Sequence, residues 1–224
     1  MAIPPHRSDP DDRGSGPPAR VKLIGRALNA TVARAPWLWP VLKGPMTSYF
    51  DGRAGTWDER TGAPGADHLA PLAVAVTMID RRPERALDIG TGTGVAALFV
   101  AREFPYASVR GVDVSEEMIR RAKAKVGLDP EGRVAFQVAD GSSLPYGDGA
   151  FDLVTLLNTP PFFAEIARVL RHGGHAIVAA SSGDRTPFYT PDSVLARGFR
   201  RHGMSTVKTG RIGNGSWFVA RKGD

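Results

Sequence analysis

From Arg85 onward, short apolar runs alternate with stretches whose apolar residues recur every three or four positions. The runs at 85–89, 108–112, 133–138, 151–157, 174–180, 204–209 and 216–221 predict strands, and the stretches near 94–103, 115–126, 161–171 and 191–202 predict helices. Apolar strands separated by helices imply an α/β fold, with a mostly parallel seven-stranded sheet covered on both faces. "GRIGNG" between the last two strands is too short for a helical crossover, so that pair is expected to be antiparallel.

Before Arg85 the pattern is helical. Val21, Ile24, Leu28 and Val32 recur at helical spacing, with Lys22, Arg26 and Arg34 away from that stripe. "PWLWP" is expected to end this helix and a second short one to follow at Val41–Phe50. "DGRAGTWDERTGAPGAD" reads as a loop, and His68–Arg81 as a mostly buried helix. Residues 1–20, rich in Pro, Gly, Asp and Arg, offer little to bury and are expected to be disordered. The expected organisation is a tail at 1–20, a helical lid at 21–82 and an α/β core at 83–224.

Composition narrows the function. The 224 residues suffice for one well-buried core. Cysteine is absent, which excludes disulfides, thiolate metal sites and a cysteine nucleophile. The prolines of the first 20 residues interrupt any signal-peptide apolar stretch, and the longest apolar run, Leu69–Ile79, falls well short of the ~20 residues that span a bilayer. The expected location is the cytoplasm. The net charge of +6 permits a polyanionic partner without demanding one.

The chemistry gathers at "ALDIGTGTGV". Gly90, Gly92 and Gly94 fall where the first strand turns into a helix, and such turns receive nucleotides at the carboxyl edge of a sheet. A dinucleotide fingerprint asks for G-x-G-x-x-G; this chain has G-x-G-x-G. Asp88, just before the turn, would repel a pyrophosphate but suits an ammonium group. Asp113 ends the second strand, 19 residues after Gly94, where a carboxylate can accept from both ribose hydroxyls. Asp140 follows the third strand, where it can accept from an adenine amino group. Alone, Asp113 reads equally as a helix cap and Asp140 as a turn former; together with the glycine turn they point to a nucleoside carrying a cationic amino-acid end.

On "ALDIGTGTG", "GVDVSEEMI", "VADGSSLPYGDGAFDLV" and "EIARVLRHGGHAIV" the sequence resembles the class I S-adenosylmethionine-dependent methyltransferases over roughly residues 50–221. Within them it is similar to the small-molecule enzymes of ubiquinone and menaquinone biosynthesis, with "YFDGRAGTWDERTG" as an approximate counterpart of their amino-terminal motif. The resemblance implies a Rossmann-like sheet with S-adenosyl-L-methionine as cofactor and no metal. It implies Asp88 near the methionine amino group, with Gly90, Thr91, Gly92 and Gly94 passing under methionine and ribose. Asp113 would hold the ribose hydroxyls, Val114 and Met118 would pack beside the adenine, and Asp140, Gly141 and Ser142 would meet its edge. Asn158 would lie near the methyl sulfonium. After the fourth strand the chain departs from the family: "NTPPFFAEIARVL" is short, leaving the mouth open or shaped by the amino-terminal helices.

Methyl transfer is an in-line displacement in which the protein chiefly positions the acceptor and excludes water. Candidate catalytic residues are His68, Asn158 and Tyr189, with Tyr49, Trp57, Phe162 and Phe163 as acceptor-side walls and Arg53 as a partner for the cofactor carboxylate. "RTPFYTPD" is expected to reach the same sheet edge. The implied partner is a small-molecule substrate. Peripheral contact of the basic amphipathic helix with a membrane is an open alternative to its packing as a lid. Methylation of nucleic acid, favoured by the basic pI and by "NTPPF", and a cofactor-binding regulatory role are the competing functions.

Overall fold

The computed structural model describes residues 19–34, 38–127, 129 and 131–224. The expected disorder of the tail therefore lies outside the described residues, apart from Ala19 and Arg20, which are helical; of "PWLWP", Pro36 and Trp37 lie outside them too, and Trp39 and Pro40 already belong to the second helix. Strands β1 (Arg85–Ile89), β2 (Ser108–Asp113), β3 (Val134–Val138), β4 (Phe151–Leu157), β5 (Leu170–Ala180), β6 (Met204–Ile212) and β7 (Gly215–Lys222) form one sheet in the order β3-β2-β1-β4-β5-β7-β6. The pairings from β3 to β5 are parallel, and β7 runs antiparallel to both β5 and β6, as the short turn requires.

Helices cover both faces. Leu72 and Ala75 of α4 (Ala66–Val76), Ala97 and Val100 of α5 (Val95–Glu103), and Ile119 and Ala122 of α6 (Glu116–Lys125) pack on one side. Phe163 and Ile166 of α7 (Phe163–Val169), with Leu195 and Phe199 of α8 (Asp192–Arg200), fill the other. The chain leaves β1 in one direction and β4 in the other, so a crevice opens above their carboxyl ends, where ligands of such sheets bind.

Three expectations change. The stretch taken as a loop contains a 3-10 turn at Ala54–Thr56 and α3 (Trp57–Thr61), closed by Gly62 in a left-handed conformation. The helix placed at 161–171 is shorter because Leu170 already pairs with Phe151. The helix placed at 68–81 ends at Val76, and its Leu72, Ala75 and Val76 belong to the sheet's own core. The segment that arches over the crevice is thus α1 (Ala19–Arg34), α2 (Trp39–Asp51) and the turns through α3.

The buried face of α1 also differs. Ile24 is 67% exposed, whereas Gly25, Asn29 and Val32 face inward. Gly25 lets the helix settle on Pro187, which would lie 2.6 Å from a Cβ there. Asn29 Nδ2 donates to the Phe188 carbonyl at 2.5 Å and to Thr190 Oγ1 at 2.8 Å. Of the expected stripe, Val32 faces inward and Ile24 does not, while the side chains of Val21 and Leu28 lie outside the described ones; Asn29 adds a polar anchor to the inward side.

Candidate active site

The crevice floor is the glycine turn. Gly94, at φ +84°, closes β1 into α5, and Thr91 donates its N–H to the Val112 carbonyl, tying the turn to β2. Asp88 does not open onto the crevice. Its side chain is 1% exposed and Oδ1 accepts from Thr155 Oγ1 of β4 at 2.7 Å. Asp88 Oδ2 and the Thr91 hydroxyl are buried with no hydrogen-bond partner among the described residues. Burial pushes the Asp88 carboxyl up to about 6, with the Thr155 hydroxyl pulling it back.

Asp113, at the end of β2, accepts from the Gly92 N–H at 2.9 Å and from the Ser115 N–H at 3.0 Å. It thereby braces the glycine turn and the residue before α6, whose N-cap is Ser115 and not the expected Asp113. Burial raises its carboxyl above the usual range, the backbone donors oppose this, and the nearby Asp51 carboxylate adds to it. Met118 is fully buried in the first turn of α6, where its N–H is capped by Ser115 Oγ. Beyond β3, Ser142 donates both its N–H (2.8 Å) and its hydroxyl (2.7 Å) to Asp140 Oδ1, so this serine serves the turn. Gly141 lies against the Phe162 ring.

At the end of β4, Asn158 adopts φ +57°, the left-handed region in which asparagine is the best tolerated residue after glycine. Its amide faces β5: Oδ1 accepts the Ser181 N–H at 2.9 Å and Nδ2 donates to Ser181 Oγ at 3.0 Å. Asn158 therefore fixes the two strand ends that frame the mouth. The following Thr159 lies directly over the glycine turn, its Oγ1 only 2.3 Å from where a Gly90 Cβ would be.

The acceptor-side candidates divide. Trp57 lies above Gly92, its Nε1 4.0 Å from a Cβ at that position, and packs edge-on against Phe50. Phe50 in turn approaches Phe188 of the segment after β5, which does reach this edge, while Tyr189 of that segment is half-buried. Arg53 stacks on the Tyr49 ring at 3.9 Å. Phe163 is no wall of the site: it is a core residue packed on Phe199, with centroids 5.0 Å apart. His68 sits in the α3–α4 corner, where burial lowers its pKa against the opposing Thr61 backbone and Asp58.

Several functional positions went unnoticed in the sequence. Asp51 accepts from the Ser115 hydroxyl. Asp58 accepts from Thr93 Oγ1 and from Lys125 Nζ, each at 2.5 Å. Trp39 and Lys43 both bond to Asp140. These residues staple the arch to the glycine turn, to α6 and to the β3 turn. The acids of "YFDGRAGTWDERTG" carried a signal through their resemblance to the amino-terminal motif; Trp39 and Lys43 carried none. The short lip after β4 leaves the mouth to this arch, since Trp39, Leu42 and Met46 pack on Phe162. Among the described residues no group of three or more His, Asp or Glu side chains could hold a metal ion.

Comparison with known proteins gives the following. Residues 86–174 match the methyltransferase domain family. The chain is 36% identical over 133 residues to the O-methyltransferase cnsE of Penicillium expansum, covering 55% of this chain and 47% of that protein. It is 35% identical over 114 residues to the ubiquinone/menaquinone biosynthesis C-methyltransferase UbiE of Geotalea uraniireducens, covering 47% and 48%. The chain thus spans about half the length of the curated relatives it matches. A SAM-dependent methyltransferase from Aquifex aeolicus shares the fold, with a TM-score of 0.61 at 17% identity over 75% of this chain and 97% of that one.

Proposed function

We propose that this chain, whose residues 86–174 match the methyltransferase domain family, is a class I methyltransferase that binds S-adenosyl-L-methionine and methylates a small-molecule acceptor. One observation carries the reading: acids stand at or just beyond the ends of β1, β2 and β3, on the carboxyl edge where a positive-φ glycine turn, braced by Asp113, meets the reversal point of the sheet. The residues suit that cofactor. Asp113 and Asp140 are acceptors for ribose and base, and the Gly90–Gly94 turn admits the methionine chain. Asp51 and Asp113, close to one another beside the turn, supply negative charge for an ammonium and a sulfonium, to which buried Asp88 adds from beneath. Bound there, the cofactor supplies the methyl group.

The chain's own part is to orient and to exclude water. Trp57 and Phe50 roof the glycine turn, Asn158 holds the mouth between β4 and β5, and Phe188 approaches Phe50 from the segment after β5. Half-buried Tyr189, next to Phe188, remains the hydroxyl-bearing candidate for an acceptor contact, and His68 lies in the α3–α4 corner near Thr61 and Asp58. A second feature bears on the acceptor. Leu23, Ile24 and Val41 are each two-thirds or more exposed, within a stretch from Arg13 to Phe50 that contains six cations and no acid. That combination supports peripheral contact with an anionic bilayer and a lipophilic acceptor. Among the described residues no helix is long and apolar enough to cross a membrane.

Calorimetric titration with S-adenosyl-L-methionine tests the reading, with NAD as control ligand. Saturable binding that is lost in Asp113→Ala, with no response to NAD, is expected. Absence of binding to folded protein, even after Trp39→Phe, would refute it.

A further inference from the structure

We propose that Trp39 and Lys43 of α2 form an internal plug in the base end of the nucleoside site and compete with the cofactor's adenine for Asp140. The proposal rests on the cofactor reading above. Asp140 Oδ1 accepts from Trp39 Nε1 at 2.7 Å as well as from Ser142, and Oδ2 accepts from Lys43 Nζ at 3.0 Å. A carboxylate offers about four lone-pair sites, so these donors leave little capacity for an adenine amino group. The Ser142 bonds belong to the local turn, whereas Trp39 and Lys43 arrive from about a hundred residues earlier in the chain.

The indole is a fair substitute for the base. It is a flat bicyclic ring whose single N–H points at the carboxylate. It is 3% exposed and meets Phe162 edge-on, with centroids 5.1 Å apart and planes at 71°. Phe162 lies on Gly141, and Val114 packs on the same cluster; Gly141 and Val114 are two of the residues expected beside the adenine. A groove of about 410 Å³ starts at Asp140 and runs between α2 and the ends of β2 and β3, past Lys43, Thr47, Val114 and Val138. The adenine gains Asp140 only when α2 gives up its two bonds. The other contacts of the arch, from Asp51 and Asp58 to Ser115 and Thr93, lie outside this end and need not break.

Two measurements on the full chain test the plug. Hydrogen exchange of the free protein reads α2 without any ligand: Trp39→Phe, which keeps a ring and removes the N–H, is expected to speed exchange of the α2 amides about tenfold. The amides of β1 and β4 should stay as protected as before. Calorimetry then reads the competition: Trp39→Phe is expected to bind S-adenosyl-L-methionine about tenfold more tightly than wild type, and Lys43→Met a few-fold more tightly. Adenosine should gain in the same proportion and L-methionine, which lacks the base, should not. Unchanged α2 exchange overturns the plug. So does cofactor affinity that is unchanged or weakened by both substitutions, which would make Trp39 a wall of the site. Faster exchange with no cofactor binding by any variant would instead overturn the methyltransferase reading, and the competition with it.

Discussion

Asp88 offers a quantitative test because its environment differs so sharply from water. The carboxyl is buried, one oxygen accepts from Thr155, and the other is unpartnered among the described residues. Its pKa rises from the ordinary 3.8 to about 6. The folded protein therefore holds this proton more tightly than the unfolded chain does. The stabilisation is fully present below the ordinary carboxylate range and is lost as pH rises through about 6. A shift of about two units corresponds to about 3 kcal/mol, of which about 2 kcal/mol falls between pH 4.5 and 7.5. The perturbation is Asp88→Asn, which keeps an acceptor for the Thr155 hydroxyl and removes the charge. Urea unfolding followed by circular dichroism at a series of pH values gives the difference between wild type and variant. Asp140 and Glu165, whose carboxyls are held low by donors, titrate in both proteins and cancel in that difference. The variant should gain about 2 kcal/mol on wild type from pH 4.5 to 7.5. A difference that does not change with pH would refute the argument that Asp88 is ionised at a desolvation cost.

Two further predictions follow from the same region and from α1. Gly94→Ala places a Cβ 2.8 Å from Phe136 Cζ and 3.0 Å from Ala122 Cβ in a left-handed conformation, and should destabilise by about 2–4 kcal/mol in urea unfolding; a loss under 1 kcal/mol would mean the turn relaxes freely. Cosedimentation should show the protein on phosphatidylserine-containing vesicles at low salt, with little on neutral ones. Double replacement of Leu23 and Ile24 by serine should cut that binding about tenfold, and equal partition onto both vesicle types would remove the membrane contact.

The seven strands, their helices and the antiparallel last pair were legible along the chain because each rests on local periodicity and on the length of a connection. The three acids and the glycine turn were legible because they stand at fixed offsets from strand ends. What those acids touch was not. Asp88 turns to Thr155 of β4, 67 residues away, and Asn158 turns to Ser181; both choices depend on which strand lies next door. On α1 the stripe's Val32 faces inward but Ile24 does not, and Asn29 does, because it meets carbonyl and hydroxyl groups after β5 that no periodicity can announce. "TWDERT" looked like a loop, yet five of its residues are helical once Asp58 bonds to Thr93 and Lys125. In the sequence Trp39 reads as part of the segment that ends the first helix, and Lys43 draws no reading at all. Only the packing of α2 across the sheet edge brings them to Asp140, because partners about a hundred residues apart are chosen by the tertiary fold and leave no mark on the local pattern.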